Sequence, residues 1–226
     1  MPHRYFSTEI TQGRAWLSEA DSHHLCVVMR AQAGQAVTVC DGRGTDYACR
    51  LAAVSPTRAG LDILSSEACV SEPSVRVILY VGYPKQDKLE HIIQKATELG
   101  AARIVPFFSR FCVAAPKNEE KKHARYARIA FEAAKQAGRG VIPEVGLPLT
   151  YQQMLAEAAA AQSITGQHPV MLLDDVLSEL DDMRQSYLLS RMEQRQTIVT
   201  ACDAGLFCKT DGKVLYVKQG TVSQTP

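Results

Sequence analysis

Between Lys85 and Gly100, Leu89, Ile92, Ile93, Ala96 and Leu99 recur at helical spacing, while Lys88, His91, Lys95 and Glu98 fall three or four residues apart on another face. This pattern predicts an amphipathic helix, and Gly100 supplies its stop. The apolar runs on either side, Val75 to Val81 and Ile104 to Phe108, have the length and composition of strands. Strand, helix and strand over about thirty residues make a βαβ unit, which implies a parallel sheet.

Upstream the pattern is different. Apolar runs are short and broken by glycine: Ala36 to Cys40, Tyr47 to Val54 and Gly60 to Leu64, with an Asp41-Gly42 turn signal between the first two. A strand every ten residues or so predicts a small antiparallel sheet or barrel. One short helix is expected to interrupt it, capped by Ser18 or Asp21, running through His24 to Arg30 and ended by Ala33-Gly34. The polar joint Ser71-Glu-Pro-Ser74 marks the change of pattern, so the predicted domains are residues 1–72 and 73–226.

Downstream, a long helix is expected from Asn118. On it Arg128, Glu132, Gln136 and Arg139 share one face, opposite Ile129, Ala130, Ala133 and Ala137, before Gly138, Gly140 and Pro143 break it. A helix over Tyr151–Ala161, a buried strand over Pro169–Leu173, a helical stretch from Asp174 to Arg195 and a strand over Gln196–Thr200 follow. This alternation is that of a Rossmann-like α/β domain.

Composition removes several classes of function. With 226 residues, 46% of them hydrophobic, the chain can bury one large core or two modest ones. Seven cysteines without a CxxC pair fit neither a disulfide framework nor a zinc ribbon, and they suit a reducing cytosol. No run has the length of a signal-peptide core or a membrane span, so a cytoplasmic protein is expected. The net charge of +1 is not that of a protein coating nucleic acid without specificity, so any RNA contact must be local. The densest basic cluster is Lys121-Lys-His-Ala-Arg-Tyr-Ala-Arg128, with Lys117, Lys85 and Lys88 near it in the pattern; a solvated helix face would look the same. No GxGxxG, metal triad or Ser-His-Asp pattern is present, and no metal is expected.

In combination, the run KxDKLExIIQKATELG over residues 85–100, Pro106, Arg110, the EAxxQxxR run from Glu132 to Arg139 and Pro143 resemble the ribosomal RNA small subunit methyltransferase E family. The likeness covers residues 1 to about 145. In the N-terminal part, Arg4-x-Phe6, His24-Leu25, Val28-Met-Arg30, Gly34 and Asp41-Gly42 match the family's RNA-binding PUA-like barrel. The resemblance implies a PUA-like β-barrel followed by a Rossmann-like α/β knot (SPOUT) domain, S-adenosylmethionine as cofactor, methylation of uridine N3 in 16S rRNA of the small ribosomal subunit, and a homodimer. Glu98, Glu132 and Arg139 are its candidates for alignment or proton handling. Arg4, Arg30, Arg43, Lys85, Lys88, Lys95, Arg110, Arg128 and Gln136 are its candidates for RNA contact. Pairing of Arg30 with Asp41 inside the barrel is the competing expectation for that arginine.

The C-terminal part departs from the family. Where members carry Gly-Pro-Glu-Gly-Gly and then Leu-Gly-x-Arg-Ile-Leu-Arg-x-Glu-Thr-Ala, this chain has Ala201-Cys-Asp-Ala-Gly205 and Tyr216 to Pro226. Thr200, Asp203, Gly205, Lys218 and Ser223 are what remains to hold the cofactor. The knot is therefore expected to be incomplete and without its closing helix. The alternative to an enzyme is an rRNA-binding remnant that no longer binds S-adenosylmethionine.

Overall fold

The computed structural model describes residues 3–84, 88–109, 112, 119–177, 180–190, 196–202 and 212–224. The chain forms two compact units, residues 1–154 and 155–226.

Unit 1 opens with six strands: β1 (His3–Phe6), β2 (Glu9–Thr11), β3 (Arg14–Trp16), β4 (Ala36–Cys40), β5 (Thr45–Ala53) and β6 (Gly60–Ala68). They form one sheet in the order β1-β4-β5-β6-β3-β2, antiparallel throughout except that β1 runs parallel to β4. The inward positions, among them Tyr5, Ala15, Val37, Val39, Cys49, Leu51 and Leu61, form one buried cluster with Leu25. Leu25 comes from the helical segment that follows β3. Ser18 Oγ accepts the Asp21 N–H at 3.2 Å and caps α1 (Glu19–His23), which runs on into a single π turn over His24–Val28. The Asp41 carboxylate accepts the N–H groups of Arg43 at 2.8 Å and Thr45 at 3.0 Å, which fixes the β4–β5 turn.

The second part of unit 1 contains β7 (Ile78–Gly82), α2 (Lys88–Glu98), β8 (Arg103–Phe108), α3 (Glu119–Gln136), β9 (Glu144–Val145) and β10 (Leu149–Thr150). β7, β9 and β10 all pair with β8 in parallel, as the βαβ pattern predicts. Leu89 and Ile93 of α2 are fully buried against Ile104, Tyr126, Ala130 and Val145; each such side chain contributes about 1.5–3 kcal/mol of burial.

Three boundaries differ from the sequence pattern. α2 ends at Glu98 and Gly100 adopts φ +98°, so Leu99 lies beyond the helix and is 86% exposed instead of joining the apolar face. β7 starts at Ile78, leaving Val75 and Val77 exposed. α3 ends at Gln136, so Arg139 is not on the helical face shared by Arg128, Glu132 and Gln136.

The barrel is joined to α3. Phe6 and Cys40 pack with Ala134, Phe131 and Ile142, and the Phe6 and Phe131 rings lie 5.4 Å apart. The Lys135 ammonium bonds the buried Asp21 carboxylate and sits 5.7 Å from the Tyr5 ring centre. Burial and the nearby Asp21 charge push the Tyr5 hydroxyl up to about 12.

α4 (Tyr151–Thr165) carries the chain from unit 1 into unit 2. There β11 (Met171–Asp174) pairs in parallel with β12 (Thr197–Thr200), and β13 (Tyr216–Lys218) pairs antiparallel with β14 (Thr221–Ser223). The helix expected from Asp174 is shorter, α5 (Asp182–Ser190). Asp174 belongs to β11, and Asp175 has φ +50°.

Candidate functional site

The most tightly bonded polar group of unit 1 lies where the Ser71–Ser74 joint meets the end of α3. The Arg139 guanidinium donates to both Glu72 carboxylate oxygens, at 3.3 and 2.6 Å, and to the carbonyls of Thr97 and Ala101, at 3.2 and 2.6 Å. Glu72 also accepts the N–H groups of Gly140 at 2.8 Å and Val141 at 3.0 Å. Burial alone would raise the Glu72 carboxyl, but the Arg139 bond and the two N–H groups outweigh it and hold the group below its ordinary value. Arg139, expected at the reaction centre, is thus an interior residue with 4% exposure, and it bonds the Thr97 carbonyl in the last turn of α2 and the Ala101 carbonyl just beyond the helix.

Arg4 is half-buried and bonded within unit 1. It donates to the Gly138 carbonyl at 2.8 Å, to Asp46 at 2.7 Å and to the Cys69 sulfur at 3.0 Å, tying β1 to the end of α3. Burial works against its cation, but bonds to Cys69 and Cys40 and the Asp46 charge raise its pKa. These contacts use the guanidinium fork that RNA contact would need.

The other candidates lie on the surface of unit 1. Arg30 has φ +51° and stands at the end of an exposed turn with Val27, Val28 and Met29; Asp41 is instead turned to its own backbone. Arg43, Lys88, Arg128, Glu132 and Gln136 are exposed. Lys95 bonds Glu98 at 2.7 Å, and Arg125 bonds Glu90 at 2.7 Å. Among the described residues no bond brings Glu98, Glu132 and Arg139 into one cluster. Lys85 and Arg110 lie outside the described residues.

Sequence reasoning missed Glu72, Asp46 and Cys69. Glu72 stands 67 residues before Arg139, with β7, α2, β8 and α3 between them, so no local pattern signals their contact.

Of the cofactor candidates, Asp203 and Gly205 lie outside the described residues. Thr200 Oγ1 donates to the Asp174 carboxylate. Lys218 and Ser223 are exposed on the β13–β14 hairpin, opposite Thr221 and Tyr216. Among the described residues no group of three or more His, Cys, Asp or Glu is placed to hold a metal ion, and no helix is long and apolar enough to cross a membrane.

The fold joins a six-stranded, mostly antiparallel sheet to a parallel α/β layer, an arrangement that by itself leaves the function open. Family models place the chain more narrowly. One described as an RNA methyltransferase domain matches residues 71–202, more than half of the chain, and one described as an RNA methyltransferase PUA domain matches residues 17–64. The chain belongs to the RNA methyltransferase family.

It is 36% identical to ribosomal RNA small subunit methyltransferase E of Bacillus subtilis over 135 residues, 59% of this chain and 53% of that protein. It therefore spans about half the length of that relative. A structure described as a methyltransferase from Legionella pneumophila in complex with the cofactor SAM superposes with TM-score 0.62 at 25% identity, covering 76% of this chain and 70% of the other. A third likeness is of another kind. The DNA replication and repair protein RecF of Listeria monocytogenes is 47% identical over 75 residues, 31% of this chain and 20% of that protein.

Proposed function

We propose that this chain serves the S-adenosylmethionine-dependent methylation of uridine N3 in 16S rRNA, and that unit 1 supplies the RNA-recognising side of that reaction. The observation that carries the reading is the pair of RNA methyltransferase family models, which match residues 17–64, in the first sheet, and 71–202, through the α/β layer. The surface of unit 1 supports it. Arg30 beside the exposed Val27, Val28 and Met29 offers a cation and apolar surface to an unstacked base, and Arg43, Lys88 and Arg128 are exposed cations for phosphate. In the reaction the bound uridine has to present N3 in line with the donor methyl and lose the N3 proton. Glu98 and Glu132 are the carboxylates of unit 1 proposed for that proton. Arg139 acts as a positioning residue, through the end of α2. A two-fold homodimer is part of the proposal; sedimentation that shows monomer at every concentration overturns it.

A second reading, RNA binding without methyl transfer, is favoured by one observation. The described residues proposed for the cofactor do not form a cradle for it: Thr200 is bonded to Asp174, and Lys218 and Ser223 belong to a two-stranded hairpin.

Fluorescence anisotropy with a 16S rRNA fragment tests the recognition common to both readings. Affinity is expected to fall as salt rises, by about 0.7 log units per decade of salt for each single-strand phosphate neutralised. Arg30→Ala should weaken binding and, where Arg30 meets a phosphate, lower that slope by about 0.7. Absent or salt-independent binding overturns both readings. Transfer of labelled methyl groups to undermodified small subunits then separates them.

A further inference from the structure

We infer that residues 155–226 are the counterpart of a RecF segment rather than the second half of a methyltransferase domain, so that this chain joins parts of two unrelated proteins and has no S-adenosylmethionine site of its own. The inference goes beyond both functional readings and, where it holds, selects binding without methyl transfer.

The first argument is one of space along the chain. The RecF likeness takes up 31% of the chain at 47% identity, and the Bacillus subtilis methyltransferase likeness takes up 59% at 36%. Two unrelated proteins cannot both resemble the same residues at such identities, so the two stretches must lie side by side. The methyltransferase motifs run from Arg4 to Pro143, inside unit 1. What remains is unit 2, and the 75 residues of the RecF alignment are close to its size.

The second argument is physical. A parallel sheet in a finished fold is covered on both faces. In unit 2 the parallel pair β11–β12 is not: Leu172 and Ile198 face each other across the strands and are 61% and 52% exposed. Among the described residues of unit 2 only Leu177 is a buried apolar side chain, whereas α2 and β8 of unit 1 bury several. A strand pair with one bare apolar face is what a piece cut from a larger sheet would show, and a segment amounting to 20% of RecF would be such a piece.

The third argument is the misfit already described for Thr200, Lys218 and Ser223. Against these stand the methyltransferase family model, which runs to residue 202, and the Legionella superposition, whose 76% coverage extends past unit 1. The family model's extension crosses β11, α5 and β12. Parallel strands with a helix between them recur in many α/β folds whatever their function, so this path does not discriminate. The identity over 75 residues does.

The test uses the full chain. Equilibrium dialysis with labelled S-adenosylmethionine, with and without the rRNA fragment, is expected to show no saturable binding up to about 1 mM, a concentration at which even a weak site would begin to fill. A crystal structure of the same preparation is expected to show residues 155–226 superposing on the matching fifth of Listeria monocytogenes RecF. Saturable cofactor binding, a unit 2 that follows the cofactor-binding part of the Legionella methyltransferase, or a unit 2 that follows neither protein overturns the inference. RNA binding measured on this preparation reports on unit 1 alone, so its loss would count against the proposed function and leave this inference standing.

Discussion

Arg139→Ala is expected to destabilise unit 1 by about 3–5 kcal/mol, the usual cost of removing one partner of a buried ion pair. The substitution removes both bonds to Glu72, leaves that carboxylate with the Gly140 and Val141 N–H groups, takes the side-chain donor from the Ala101 carbonyl, and leaves the Thr97 carbonyl with the Gly100 N–H alone. Arg139→Lys keeps the charge but not the planar fork, so it should recover only part of the loss. Urea unfolding reads the effect directly. A residue that acted only at the reaction centre would leave the midpoint where it is in the unsubstituted protein, and an unchanged midpoint sinks the structural assignment.

The same pair predicts a dependence on acid. The folded Glu72 carboxyl is held below its ordinary value of 4.5, so the folded state favours the ionised form. The resulting stability is fully present above about pH 4.5 and is lost as pH falls through the folded value. Arg139→Ala should remove most of that dependence. If the unfolding free energies of the two proteins stay parallel from pH 6 down to about pH 3, Glu72 is not the group responsible.

The βαβ core of unit 1 was legible because its signals are local and periodic: Leu89 and Ile93 fall on the buried side of α2, and Gly100 stops the helix where its positive φ requires. The barrel strands and the Asp41 turn were legible for the same reason. Leu99 shows the limit of such a pattern, since one residue past the end of a helix the periodicity no longer says which side faces the core. The contact of Arg139 with Glu72 was not legible because its partner stands 67 residues earlier in a polar joint. Nothing in the spacing of either residue announces that contact. Unit 2 was read as a continuation of the α/β alternation, since apolar strands over 169–173 and 196–200 look alike in any parallel fold.

Gly140→Ala should disrupt the meeting of joint, barrel and α3 at its tightest point. A Cβ built on Gly140 would lie 2.3 Å from the Cys69 sulfur and 2.5 Å from the Cys69 Cβ, closer than real Cβ atoms approach. The Cβ of Cys69 is fixed to the backbone that follows β6, and that backbone is itself bonded to Gly44, so a change of rotamer cannot relieve the contact. Overpacking of this kind costs about 1–3 kcal/mol, and here it would also push Glu72 away from the Gly140 N–H. The size of the side chain at position 69 decides whether this account is right. Cys69→Ala removes the sulfur and leaves the closer-held Cβ, so it should rescue Gly140→Ala only in part, whereas Cys69→Gly removes both atoms and should rescue it further. A double-mutant cycle by urea unfolding measures the coupling, expected at 0.5 kcal/mol or more in favour of the double variant, within the roughly 0.5–3 kcal/mol range for residues in contact. Costs that simply add would mean that Gly140 is required for some reason other than its contact with Cys69.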